Sequence, residues 1–124
     1  MRIRAKQIDV LAQPAKDNFV QDMADKLQSD MAWTVEPYSR EELEAEIRRA
    51  MTHARRYRID GPTNLDVFCR LWFRIGAGFD EHPRVKHILK NLRKPAQVRL
   101  QTLEANITPD EWRDIEIAVR TRPA

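Results

Sequence analysis

The stretch NLDVFCRLWFRI, residues 64–75, decides the fold because its apolar side chains cover nearly the whole circumference of a helix. Its polar side chains Asp66, Arg70 and Arg74 recur at every fourth residue and form one narrow stripe. A helix that is apolar on almost every side is normally surrounded by other helices. We therefore predict that residues 64–76 form the central helix of an all-α bundle.

The sequence on either side of this stretch supplies the other helices. Four pairs of residues mark helix starts: Ser39 with Glu42, Thr63 with Asp66, Asp80 with Pro83, and Thr108 with Glu111. Apolar periodicity predicts helices over residues 15–31, 40–58, 64–76, 84–92, 96–106 and 109–120. A shorter helical piece covers about residues 4–12, and Pro14 either begins or kinks the helix that follows. Residues 32–38 are predicted to form a loop.

The length of 124 residues is that of one domain, so we predict a single helical domain over residues 1–124 with about five to six helices. No segment shows strand alternation of useful length. The lone cysteine, Cys69, lies in the most apolar stretch and is interpreted as a small buried side chain. The predicted core contains Met23, Leu27, Ile47, Met51, Phe68, Leu71, Trp72, Ile75, Ile88 and Leu89.

Charge is the feature that first suggests a partner, since the net charge is +3 and the pI is near 9.3. Most of the charged residues have a local structural role, because acids lie early and cations late in the predicted helices, as the helix dipole favours. The exception is the stretch Arg84–Arg99, with six cations and no acid. Three interpretations remain open for it: a solvated basic face, a surface for an acidic protein, or a nucleic-acid site. A helix-turn-helix is disfavoured, because its reading helix would be the apolar stretch 64–75.

Catalytic and metal sites have no support in the sequence. His82 and His87 are five residues apart, which does not place two ligands on one face of a helix. Near the end of its helix, His53 fits a structural role. The glycines of Gly76–Gly78 follow a helix instead of a strand, so they lack the context of a phosphate-binding loop. We expect no enzymatic activity, no metal and no cofactor.

The N-terminal residues MRIRAKQIDVLAQ include no apolar run of signal-peptide length, and no stretch approaches the length of a membrane span. A cytoplasmic protein without membrane contact is expected. Its candidate protein-binding residues are Trp33 and Tyr38, which no periodic pattern assigns to the core, and the cations Lys90 and Arg93. The alternative for the two aromatic residues is that they fold back over the bundle as a lid.

The stretch ARRYRIDGPTNLDVFCRLWFRIGAGFDEHPRVKHIL, residues 54–89, resembles a group of small bacterial proteins encoded beside type VI secretion spike and effector genes. The resemblance rests on a helix end of the form A-x-x-Y-x-I, a D-V helix start, and a G-x-x-F-D turn before a proline. Here these elements are Ala54, Tyr57 and Ile59, then Asp66 and Val67, then Gly76, Phe79, Asp80 and Pro83. With the opening MRIRAKQIDVLAQ, Phe19, Asp22 and Met23, the resemblance covers most of residues 1–92 and leaves 93–124 uncovered.

This resemblance implies an adaptor or co-chaperone that helps an effector load onto the secretion spike. Its partner would be the effector, the effector's chaperone or a spike protein, bound without a cofactor. Two alternatives stay open: a small basic nucleic-acid-binding regulator that uses Arg84–Arg99, and an immunity protein that inhibits a neighbouring toxin.

Overall fold

A computed structural model describes the backbone of residues 4–121 and the side chains of residues 14–121. Its seven α-helices are α1 Arg4–Asp30, α2 Ala32–Val35, α3 Arg40–Arg56, α4 Pro62–Ile75, α5 Pro83–Leu89, α6 Ala96–Asn106 and α7 Pro109–Arg120. One turn of 3-10 helix, Phe79–Glu81, precedes α5. The described backbone has no β-strand, so the predicted all-α class is confirmed.

Two of the predicted capping boxes form. At the start of α3, Ser39 Oγ accepts from the Glu42 backbone N–H at 3.0 Å, and the Glu42 carboxylate accepts from the Ser39 N–H at 2.8 Å. Thr108 and Glu111 make the same reciprocal pair at 3.1 and 3.0 Å, with Pro109 as the first residue of α7. These boxes satisfy backbone donors that the first turn leaves without partners.

The other two helix starts were predicted wrongly. The helix α4 begins at Pro62, so Thr63 lies inside its first turn and makes no cap there. Proline suits the first helical position because its missing N–H would have had no intrahelical partner. The N-cap of α5 is His82, whose Nδ1 accepts from the Arg84 N–H at 3.2 Å. Asp80, assigned to this role from the sequence, is instead fully buried.

Two N-terminal features bear on the sequence predictions. Helix α1 continues through Pro14, so of the two expected alternatives the one in which proline begins a helix is wrong, and the predicted pieces 4–12 and 15–31 belong to one helix. Part of the predicted loop 32–38 is helical, because the N–H groups of Thr34 and Val35 both donate to the Met31 carbonyl. The buried side chain of Val35 explains why so short a helix forms without periodicity. The side chains of the opening motif, residues 1–13, lie outside the described ones.

The chain divides into two compact units, the first ending at Ile47 and the second beginning at Arg48. A single domain over residues 1–124 therefore stays a prediction. In the first unit, α1 contacts α2, and Arg40 joins α1 to the start of α3. Its guanidinium donates to Asp25 at 2.9 Å, to Glu44 at 2.7 Å and to Gln28 at 2.8 Å. Buried apolar residues of this unit are Val20, Met23, Ala24, Leu27, Val35, Leu43 and Ile47.

In the second unit, α4 contacts α6, α7 and the 3-10 helix, and α5 contacts α6 and the 3-10 helix. Six residues of α4 are buried, as expected for the central helix. The rings of Phe68 and Trp72 lie 6.4 Å apart, and those of Phe68 and Phe79 lie 5.1 Å apart. All ten residues of the predicted core are buried across the two units, and so is Cys69. The core prediction is confirmed.

Candidate functional site

Trp33 is the most exposed large apolar side chain among the described residues. It lies in α2, and 95% of its surface is accessible, whereas Val35 two residues later is buried. The buried valine anchors the short helix and leaves the indole pointing to solvent. The alternative in which Trp33 folds back as a lid is therefore wrong.

Tyr38 lies just beyond α2 and is 37% exposed. Its backbone N–H donates to the Val35 carbonyl at 3.0 Å, which continues the turn that follows α2. The two predicted aromatic residues thus lie on one short segment, but they differ in exposure. Tyr38 is partly covered, whereas Trp33 is open on nearly every side.

The stretch of sequence that contains Trp33 is rich in acidic residues. Residues 14–47 hold nine acidic side chains and three basic ones. One of the three cations is Arg40, whose guanidinium forms ion pairs with Asp25 and Glu44. Glu36, three residues after Trp33, and Glu41 are both exposed. The exposed indole therefore lies in an acidic part of the chain.

Lys90 and Arg93, the other predicted binding residues, lie in the second unit. Lys90 is the C-cap of α5, and Arg93 lies in the turn before α6; both are exposed. Between them, Leu92 is 46% exposed. This segment forms a basic surface with one apolar side chain, separate in the sequence from the aromatic segment.

The predicted six-cation stretch Arg84–Arg99 exposes fewer cations than the sequence indicates. Arg99 is buried and donates to the carbonyls of Tyr57, Leu89 and Lys94 at 2.7, 2.6 and 2.9 Å. Burial lowers the pKa of its guanidinium. Arg84 faces Glu111 at 3.4 Å. The exposed cations that remain are Lys86, Lys90, Arg93 and Lys94.

A polar contact that the sequence did not reveal joins His53 to Asp80. His53 Nδ1 lies 2.8 and 3.0 Å from the two carboxylate oxygens of Asp80. The imidazole packs edge-on against Trp72, with ring centroids 4.7 Å apart. Tyr57 donates its hydroxyl to the Asp80 carbonyl at 3.1 Å, and burial raises the pKa of that phenol. Tyr57 and Asp80 both belong to the motifs of the resemblance, which is the one signal that pointed to them.

A buried carboxylate that orients a histidine is an arrangement that enzymes also use beside a nucleophile. Cys69 lies in the same unit, but burial raises the pKa of its thiol to about 12, which keeps the thiol protonated at neutral pH. Among the described residues, no three His, Cys, Asp or Glu side chains are placed to hold a metal ion. The His53–Asp80 pair links α3 to the 3-10 helix.

No helix in the described part of the chain combines the length and the apolar character needed to cross a membrane. Comparison of the sequence and structure with protein-family models, characterised proteins and solved structures finds no match.

Proposed function

We propose that this chain is a non-enzymatic protein-binding adaptor, and that its partner is a type VI secretion effector, the effector's chaperone or a spike protein. The adaptor would bind its partner stoichiometrically and without a cofactor, and would assist loading of the effector. The choice of this system rests on the resemblance of residues 54–89. The choice of protein binding rests on the surface.

The observation that carries the proposal is the 95% exposure of Trp33. A tryptophan side chain can bury roughly 150–250 Å² on contact, which at about 25 cal/mol per Å² corresponds to about 4–6 kcal/mol before other costs. Tryptophan is also enriched among the few residues that dominate binding energy at protein interfaces. An indole held on a short helix by a buried neighbour would lose little freedom on binding, which lowers the entropic cost.

Lys90 and Arg93 have a different role in the proposal. They are exposed cations beside Leu92, and charges at the rim of an interface mainly change the rate of association. Charge reversal at both positions should slow association with an acidic partner surface and alter its salt dependence. The dissociation rate should change little.

The test is a binding titration of the purified chain against each product of the adjacent genes. Trp33→Ala should weaken binding by about 2 kcal/mol, or about 30-fold, while the melting temperature stays nearly constant because the side chain has few contacts to lose. The matched control is Ile117→Ala, which truncates an exposed apolar side chain on α7 that is 56% accessible. This control should bind as the unmodified chain does.

Two results would contradict the proposal. A Trp33→Ala variant that binds normally would remove its main support, and so would equal losses of stability and binding in that variant. If the bound partner is a toxin whose activity is abolished in the complex, the chain belongs to the immunity class instead of the adaptor class. A toxicity assay run beside the titration separates these two classes.

A further inference from the structure

We infer that the turn between α5 and α6 binds an acidic segment of its partner, with carboxylates against its cations and an apolar side chain against Leu92. The basic turn is defined here as Lys86, Lys90, Leu92, Arg93 and Lys94, all of which are exposed. This inference rests on the proposed function and names the chemistry of the segment that the partner presents. The turn then contributes contacts of its own, beyond the effect of Lys90 and Arg93 on the association rate.

Backbone hydrogen bonds bring the members of the basic turn together. The Lys90 N–H donates to the Lys86 carbonyl at 2.9 Å, so these two residues lie one helical turn apart on the same side of α5. The Leu92 N–H then donates to the Lys90 carbonyl at 2.9 Å. The Lys94 N–H donates to the Asn91 carbonyl at 3.1 Å and closes a tight turn. The cations therefore lie on one compact piece of backbone.

The four cations of the basic turn have no ion-pair partner in the part of the chain that the structure describes. Neighbouring Arg84 differs from them, because its guanidinium faces Glu111 at 3.4 Å. A group of cations without carboxylates beside it attracts anionic groups from a partner. Their positive charge is therefore available for binding.

A buried arginine holds the basic turn from inside. Arg99 is 3% exposed, and its guanidinium donates to the Leu89 carbonyl at 2.6 Å and to the Lys94 carbonyl at 2.9 Å. These two carbonyls lie on either side of residues 90–93, so one side chain fixes both ends of the turn. A segment held in this way loses little backbone freedom when a partner binds, which lowers the entropic cost of binding.

Arg99 also changes the electrostatics at the end of α5. The last carbonyls of a helix carry partial negative charge, which would repel a carboxylate. Here the guanidinium binds the Leu89 carbonyl, and no carboxylate among the described residues pairs with Arg99. Its positive charge therefore adds to that of the exposed cations and favours an anionic partner.

Leu92 distinguishes an acidic peptide from a nucleic acid as the occupant. Its side chain is 46% exposed and lies between Lys90 and Arg93 in the turn. Single-stranded nucleic acids are normally bound with aromatic side chains on which the bases stack, and residues 80–111 contain no Phe, Trp or Tyr. A peptide that combines acidic and apolar residues contacts both the cations and Leu92, whereas a phosphate backbone leaves the leucine without an apolar contact.

The probe is a synthetic peptide of glutamate and leucine residues separated by glycine, titrated into the ¹⁵N-labelled full chain. We expect the backbone amide signals of Lys90, Leu92 and Arg93 to shift in a saturable way. A matched peptide with lysine in place of glutamate should leave these signals unmoved. A peptide with serine in place of leucine should bind about fivefold more weakly, because Leu92 loses its apolar contact. Raising the salt from about 50 to about 300 mM should weaken binding several-fold through screening.

Three variants test the surface. Lys90→Glu combined with Arg93→Glu should weaken binding of the acidic peptide about tenfold, mainly through slower association. The matched control is Arg55→Glu combined with Arg74→Glu, which reverses two exposed arginines on α3 and α4 and should change binding less than about twofold. Leu92→Ser should raise the dissociation rate and leave the salt dependence of association unchanged. The melting temperatures should stay near that of the unmodified chain, because every substitution lies at the surface.

Unmoved signals of Lys90, Leu92 and Arg93, or an equal response to the lysine peptide, would overturn the inference. A thymidylate oligonucleotide that binds the turn more tightly than the acidic peptide at the same salt would also overturn it, since the surface would then belong to nucleic acid. So would sedimentation showing self-association of the 14.6 kDa chain that disappears with Lys90→Glu and Arg93→Glu, because the occupant would then be a second copy.

The proposed function and this inference fail separately. Trp33-dependent binding of an adjacent gene product, without any response to the acidic peptide, would overturn this inference and leave the proposed function standing. A response to the acidic peptide with no binding of any adjacent gene product would support the chemistry of the basic turn and contradict the proposed partners.

Discussion

His53 and Asp80, 27 residues apart, are joined by a hydrogen bond in which Nδ1 lies within 3.0 Å of both carboxylate oxygens. The Asp80 side chain has no solvent exposure, so this contact is shielded from water. The contact connects the last part of α3 with the 3-10 helix. Tyr57, one turn after His53, donates to the Asp80 carbonyl and reinforces the same connection.

Replacing Asp80 by alanine should destabilise the chain by roughly 3–5 kcal/mol, because the substitution leaves a largely buried imidazole without its partner. Urea unfolding monitored by circular dichroism measures the change. The control is Glu81→Ala, which removes an adjacent carboxylate that faces Arg56 at the surface. Its cost should be at most about 1 kcal/mol, as for other exposed ion pairs. Equal costs for the two variants would mean that the buried pair has no special role.

Arg99 supports a second prediction, since its guanidinium is the donor for three backbone carbonyls, two of them in buried contacts. Arg99→Met keeps much of the apolar stem but leaves these carbonyls without a donor, which should lower the free energy of unfolding by about 3 kcal/mol. Differential scanning calorimetry would show the loss as a lower melting temperature. Arg93→Met is the matched control on the surface, and an effect there as large as that of Arg99→Met would refute the prediction.

The sequence predicted the features that depend on near neighbours. Capping by Ser39 and by Thr108 was predictable because both partners of each box lie three residues apart. The burial of α4 was predictable because apolar side chains covered almost its whole circumference. At Thr63 the same local rule failed, because Pro62 takes the first helical position and moves the helix start upstream.

What the sequence could not supply depends on distant contacts. His53 and Asp80 meet only because α3 and the 3-10 helix approach each other, and no local pattern encodes that approach. Arg99 looked like a surface cation because its acceptors are backbone carbonyls, which every residue has. For Trp33 the sequence indicated a residue outside the periodic core, but only the packing of its neighbour Val35 distinguished an exposed indole from a lid.

A third prediction concerns Gly76, which ends α4 with a φ of +142°. A Cβ at this position would lie 2.9 Å from Val119 Cγ1, closer than carbon atoms pack. Gly76→Ala should therefore lower the free energy of unfolding by more than the backbone strain alone would. Gly61→Ala is the matched control, because its φ is +85° and a Cβ there would meet nothing within 4 Å. Chemical denaturation of both variants gives the difference, and a cost for Gly76→Ala no larger than for Gly61→Ala would contradict the predicted clash.

The last prediction is a pH dependence at the start of α7. The backbone N–H of Thr108, together with nearby Arg84, holds the pKa of the Glu111 carboxyl below its ordinary value of 4.5. The folded state therefore favours the ionised form, so this stabilisation is complete above pH 4.5 and is lost as the pH falls through the folded pKa. The difference in unfolding free energy between the unmodified chain and Glu111→Gln should shrink in that acidic range and stay constant above it. Asp114→Asn, an exposed substitution on the same helix outside the capping box, should show a small difference throughout. A Glu111→Gln difference that is the same at pH 7 and at pH 2.5 would mean that the ionised carboxylate contributes nothing to the cap, because only the ionised form is lost over that interval.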